Sequence, residues 1–109
     1  MKKRFKIYGD HETRKVWLND KLIDERKSQA VYNHSPDGFS WGYTGSGPMQ
    51  LGLAIMLELF PEDAVKMYRD FTINVIAHIP QGNDFSAEII VQEMEGNETL
   101  FKFSDDQKN

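Results

Sequence analysis

At 109 residues, 39% of them hydrophobic and 28% charged, the chain is the size of one small domain that can bury a core without staples. It contains no cysteine, which excludes disulfides, thiolate metal sites and cysteine nucleophiles and fits a reducing compartment. The net charge of −4 is uneven: residues 1–27 carry nine Lys/Arg and five Asp/Glu, residues 28–109 four and twelve. A basic end on an acidic body lacks the broad positive face of non-specific duplex binding. It suits either a small anionic ligand held locally or a solvated edge strand guarded by charge.

In chain order, Lys3 to Tyr8 alternates with Phe5 and Ile7 on one side, and Thr13 to Leu18 alternates with Val16 and Leu18 opposite Trp17, so both are expected as strands. Asn19-Asp20 signals a turn before the short apolar piece Leu22-Ile23. Strands are also expected around Gln29 to Asn33 and over Phe39 to Tyr43. Pro48 suits the first position of a helix that is apolar nearly all round from Leu51 to Phe60, and such a helix belongs in the centre of its domain. Pro61 opens a second helix, whose Ala64, Tyr68, Phe71, Val75 and Ile79 form one core stripe before Pro80-Gln81-Gly82-Asn83 ends it. Ser86 to Glu95 reads as either a third helix or a β-branched strand. The helix is preferred, with Ile89, Ile90 and Met94 inward and Gly96 as its stop. Thr99 to Phe103 then closes as a strand, and Ser104 to Asn109 as a frayed tail.

The expected fold is α+β, a small single domain over 1–109. N-terminal antiparallel strands pack on a central buried helix and a second amphipathic helix, with a C-terminal helix and short strand. No apolar run approaches the roughly 18 residues of a membrane span, and Met1 to Lys6 lacks the apolar stretch of a secretion signal. A soluble cytoplasmic protein with no membrane partner is the expectation.

The densest chemistry lies in residues 33–50, which hold four of the eight glycines, two prolines and the aromatics Phe39, Trp41 and Tyr43 in front of the apolar helix. In Gly45-Ser46-Gly47-Pro48 the flexible backbone before a helix start offers N–H donors and a positive dipole end to an anion such as phosphate. Ser46 adds a hydroxyl, and Gln50 lies one turn inside. The same turn equally suits a structural role, with Ser46 as the helix cap. The motif is neither a Walker loop nor a dinucleotide fingerprint. His34 sits at the mouth of the loop and titrates near neutrality, so it can act as acid or base. Trp41 and Tyr43, two apart on an extended segment, point the same way and form either a stacking platform for bases or part of the core. Phe39 reads as core anchor. No His and carboxylate set has metal-ligand spacing, so no metal and no cofactor are expected.

The run His34-Ser35-Pro36-x-Gly38-Phe39-x-Trp41-Gly42-Tyr43-x-Gly45-Ser46-Gly47-Pro48-x-Gln50-Leu51-x-Leu53-Ala54-Ile55, continued by Tyr68-x-Asp70-Phe71 and Ile79-Pro80, resembles the signature of domain-of-unknown-function family 6166, small proteins of prokaryotes, phages and plasmids. The resemblance covers residues 30–80. It departs at Thr72, where the family pattern has a basic residue, and it fades in the C-terminal third. The resemblance implies a small homodimeric CRISPR-associated ring nuclease, which cuts the cyclic oligoadenylate messengers of type III immunity without metal by attack of a 2′-hydroxyl. On that reading His34, Tyr43 and Ser46 are the catalytic candidates. Trp41 stacks on adenine, Gly45, Gly47 and Gln50 hold the phosphate, and Arg26, Lys27 and Arg69 supply positive charge. The alternatives are a non-catalytic binder of cyclic nucleotide or nucleic acid, and a protein–protein inhibitor module.

Overall fold

The computed structural model describes residues 2–93 and 99–105. Strands β1 (Lys2–Gly9), β2 (Val16–Leu18) and β3 (Lys21–Leu22) are followed by helices α1 (Glu25–Val31), α2 (Ser46–Leu59) and α3 (Ala64–Asn74). A 3-10 turn over Ile76–His78 leads to β4 (Phe85–Glu93) and β5 (Thr99–Asp105). The strands form one antiparallel sheet in the order β3-β2-β1-β4-β5. This is the α+β architecture expected.

Period-two patterning sets the sheet's two faces. Ile7, Val16, Leu18, Phe85, Ala87, Ile89 and Val91 are buried and join α2 and α3 in one core, while their alternates on the other face are half-buried or exposed. In the first three-quarters of α2, Leu51, Leu53, Ala54, Ile55 and Met56 are all buried, as an all-round apolar helix requires. The stripe Ala64, Tyr68, Phe71, Val75 and Ile79 is buried throughout. Pro48 occupies the third helical position rather than the first. It costs no hydrogen bond there, because the first intrahelical donor is Met49, bonded to the Gly45 carbonyl.

Four local expectations are corrected. The segment expected as a strand around Gln29 to Asn33 belongs mostly to α1, which begins where the Asp24 carboxylate accepts from the Arg26 N–H and caps it. Phe39 to Tyr43 is not a strand: Gly42, at φ 89°, donates to the Ile76 carbonyl and turns the chain away from any ladder. The expected C-terminal helix is strand β4 through Glu93, because Phe85, Ala87, Ile89 and Val91 match the pleat and put Ile90 on the opposite face from Ile89. The expected inward Met94 and stop at Gly96 lie outside the described residues. Ser104 and Asp105 extend β5 rather than fraying, and residues 106–109 lie outside the described residues. Among the described residues no helix is long and apolar enough to cross a membrane.

Candidate functional site

The loop between α1 and α2 is held by side chains rather than by secondary structure. Gln50, one turn into α2 and fully buried, accepts with Oε1 from the N–H of His34 (2.7 Å) and of Ser35 (3.0 Å). Its Nε2 donates to Ser28 Oγ (2.8 Å) and to the Tyr32 carbonyl (3.1 Å). One amide thus ties α1, the loop and α2 together, and all four of its hydrogen-bonding positions are occupied within the protein. Gln50 is therefore a clamp, with its whole amide engaged inside the protein. Gln29 adds a bond from its Nε2 to the Ser35 carbonyl (2.9 Å).

Trp41 is likewise engaged within the fold. Its ring is 1% exposed, meets Phe85 edge-on at 4.8 Å and donates from Nε1 to the Asn83 carbonyl. The ring has no face open to a base. Tyr43 departs from it: the ring is half-exposed, lies against Gly45, and its hydroxyl bonds Ser40 Oγ at 2.8 Å. Ser40 packs on Gly47 so closely that any Cβ there would strike its hydroxyl. Gly45, not Ser46, is the N-cap, and no side chain caps α2. Ser46 is exposed in the first turn. Since Pro48 has no N–H, the first turn offers an anion only the donors of Ser46 and Gly47.

His34 belongs to a different cluster. Its Nε2 bonds the Tyr68 hydroxyl at 2.8 Å, its ring lies 4.3 Å from that of Tyr32, and the Arg69 guanidinium sits 5.4 Å from the Tyr68 ring. Burial first, and the Arg69 charge second, hold the His34 imidazolium below its ordinary pKa of 6.5, so the ring is neutral at pH 7. Tyr68 is the partner that sequence reading passed over. It was placed on the core stripe, where a phenol still needs a hydrogen-bond partner, and that need was the available signal.

The basic candidates scatter. Arg69 lies over the Tyr68 ring and its charge reaches His34. Arg26 pairs with Asp24 at 3.3 Å and lines a groove of about 540 Å³ whose walls include Glu25, Gln29, Asp37 and Phe39. Lys27, with Lys21, pairs with Glu58, which by helical rise is about 18 Å along α2 from Ser46. Lys27 is thus paired near the far end of α2 from the glycine loop. Among the described residues, no three His, Asp or Glu cluster as metal ligands would.

Fold and site together define a small α+β domain whose polar loop is clamped onto a buried central helix. The chain belongs to the family of unknown function DUF6166, whose model matches residues 7–96. The match thus reaches beyond the 30–80 stretch into β1 and all of β4. No curated protein and no solved structure matches the chain.

Proposed function

We propose that this protein cleaves RNA-type phosphodiesters without a metal, with cyclic oligoadenylates as the substrate class and His34 as the proton carrier. The observation that supports the reading most is the His34–Tyr68 pair beside Arg69. With Nε2–H donating to the phenol oxygen, Nδ1 carries the lone pair, and the lowered pKa keeps that lone pair free at neutral pH. In the reaction Nδ1 takes the 2′-hydroxyl proton, the 2′-oxygen bonds to phosphorus, and the bond to the 5′-oxygen breaks. The imidazolium then returns the proton to the departing 5′-oxygen, leaving a 2′,3′-cyclic phosphate and a 5′-hydroxyl. Arg69 stabilises charge on the phosphorane. A two-fold pair of chains would present two such sites to one symmetric ring.

The test is incubation of cyclic tetra- and hexa-adenylate with the protein in EDTA, read by chromatography. Linear products that disappear in His34→Ala and fall in Tyr68→Phe support the reading, and intact rings of both sizes refute it. A second reading, a module without chemistry in which the signature joins the loop and α2 to the core, is favoured by Gln50, Trp41 and Gly47 being engaged in packing. Intact rings together with a folded, stable His34→Ala variant would select it.

A further inference from the structure

The face of the sheet turned away from the helices carries an aromatic pair that the core does not need. Tyr8 and Trp17 are direct cross-strand partners between β1 and β2, their ring centroids 5.6 Å apart, and Tyr8 is 42% exposed. Their chain neighbours Ile7, Gly9, Val16 and Leu18 all point into the core, which fixes the two rings on the outer face. Leu22, the cross-strand partner of Trp17 on β3, extends the apolar strip and is itself exposed. The rings are tilted by 46° to one another, Tyr8 exposed and Trp17 half-buried, and together with Leu22 they form an apolar patch on the outer face.

The charges around the strip are ordered. Arg4 and Lys6 share the face and the strand with Tyr8, at steps of about 7 Å along β1. Lys6 has no ion-pair partner among the described residues. Arg4 gives one N–H to Glu88 at 2.7 Å and keeps others for a further acceptor. Glu88, the cross-strand partner of Lys6, lies among these basic groups and is engaged by Arg4. Asp84 and Asp10 lie at the opposite end, where the Asp84 carboxylate beside the Tyr8 hydroxyl, then burial and Asp10, hold the phenol above its ordinary range. One end of the strip therefore attracts phosphate and the other repels it, and between them lie two ring faces of suitable size for bases.

We propose that the outer face of the sheet binds single-stranded nucleic acid, with bases stacked on Tyr8 and Trp17 and the backbone running along Lys6 and Arg4. Stacking platforms on open sheets work in this way because every base has a π-face, so sequence preference is weak and salt dependence marked. The face lies across the sheet from His34, which bonds to α3 on the helix side, so the inference goes beyond the proposed chemistry and stands apart from it.

The experiment is fluorescence anisotropy of a labelled single strand of about twelve nucleotides, a length that spans such a platform, titrated with the full chain at low and physiological salt. Intrinsic fluorescence is followed in parallel, because Trp17 is accessible and Trp41 is enclosed. Binding that quenches Trp17 is expected, weakened about tenfold or more by Tyr8→Ala and by Trp17→Ala. Lys6→Glu, an exposed change that leaves the core untouched, is expected to weaken binding and flatten its salt dependence. His34→Ala is expected to bind as wild type does, which separates this surface from the proposed active site. Absence of binding at low salt overturns the proposal. So does equal binding of a duplex of the same length, or binding that Lys6→Glu and Tyr8→Ala leave unchanged.

Discussion

Replacing Gln50 by leucine keeps the side chain's bulk and removes its four hydrogen bonds, which makes it the sharpest probe of the loop. The Ser35 N–H would be left buried without an acceptor, while the His34 N–H and the Tyr32 carbonyl would keep only their mutual bond at 3.2 Å. Ser28 Oγ loses least, since it still donates to the Glu25 carbonyl at 2.8 Å. An unsatisfied buried group costs about 1–3 kcal/mol, and a partly hydrated one less. The sum is then about 2–5 kcal/mol, with little offset from the gained apolar contact. For a domain of this size that lowers Tm by roughly 10 °C or more. Urea unfolding gives the free energy directly, and amide exchange at Ser35 gives the local part: its protection should vanish before global unfolding. A loss below about 1 kcal/mol would refute the reasoning, because it would mean that water reaches these donors and that Gln50 closes nothing.

Gly47→Ala places a methyl against the Ser40 hydroxyl, and unfolding should show a cost of about 1–3 kcal/mol that Ser40→Gly partly relieves in the double variant. Arg69→Ala should raise the His34 titration midpoint, followed by NMR, by only part of the displacement from 6.5, since burial is the larger cause. Because that pKa is lowered on folding, the unfolded chain takes up the proton first. His34's contribution to stability is therefore full above about pH 6.5 and lost as pH falls below it, and His34→Gln should flatten that limb of the pH profile. The Glu58 carboxyl is held below its ordinary 4.5 by bonds from Lys21 and Lys27, so its contribution is present above that value and lost as pH falls through the lowered one. Glu58→Gln should cost about 1 kcal/mol or less at pH 7, since both ammonium groups are largely exposed, and should shrink the acid limb measured in urea.

What the sequence revealed follows from how far each signal depends on tertiary context. The stripe from Ala64 to Phe71 and the apolar run of α2 are legible, because a 3.6-residue period has one interpretation. By contrast, α3 ends at Asn74 and a 3-10 turn brings Ile79 to the core. Ser86 to Glu95 failed, since Ile89-Ile90-Val91 presents apolar residues consecutively and satisfies either period. Only the sheet partner β1 decides which isoleucine faces inward. Gln29 to Asn33 failed because Val31 and Tyr32 outweighed the Asp24 cap and acidic Glu25 that start α1. Phe39 to Tyr43 alternates like a strand, but the positive φ at Gly42 breaks the alternation and sends Trp41 inward and Tyr43 outward. At the candidate site the sequence offers residue types but not their partners. His34 was singled out, whereas its bond to Tyr68 joins residues 34 positions apart and depends on how α3 packs.

The signature divides once its packing role is subtracted. Phe39 and Trp41 fill the core, Gly42 and Gly47 admit close approaches, and Gln50 fastens the loop, so each has a structural reason independent of any ligand. The same reasoning does not absorb His34, whose Gln50-anchored backbone and Tyr68-bonded ring are held more firmly than a half-exposed imidazole needs for stability. Nor does it absorb Ser46, exposed and capping nothing, or the half-exposed ring of Tyr43. A loop fixed by a buried amide is a rigid mount, and rigidity is what a proton carrier requires of its support. On the proposed reading the clamp and the chemistry are coupled. If Gln50→Leu unfolds the loop while the domain stays folded, His34 should lose its shifted titration together with any cleavage. If His34 keeps both, Gln50 serves stability alone.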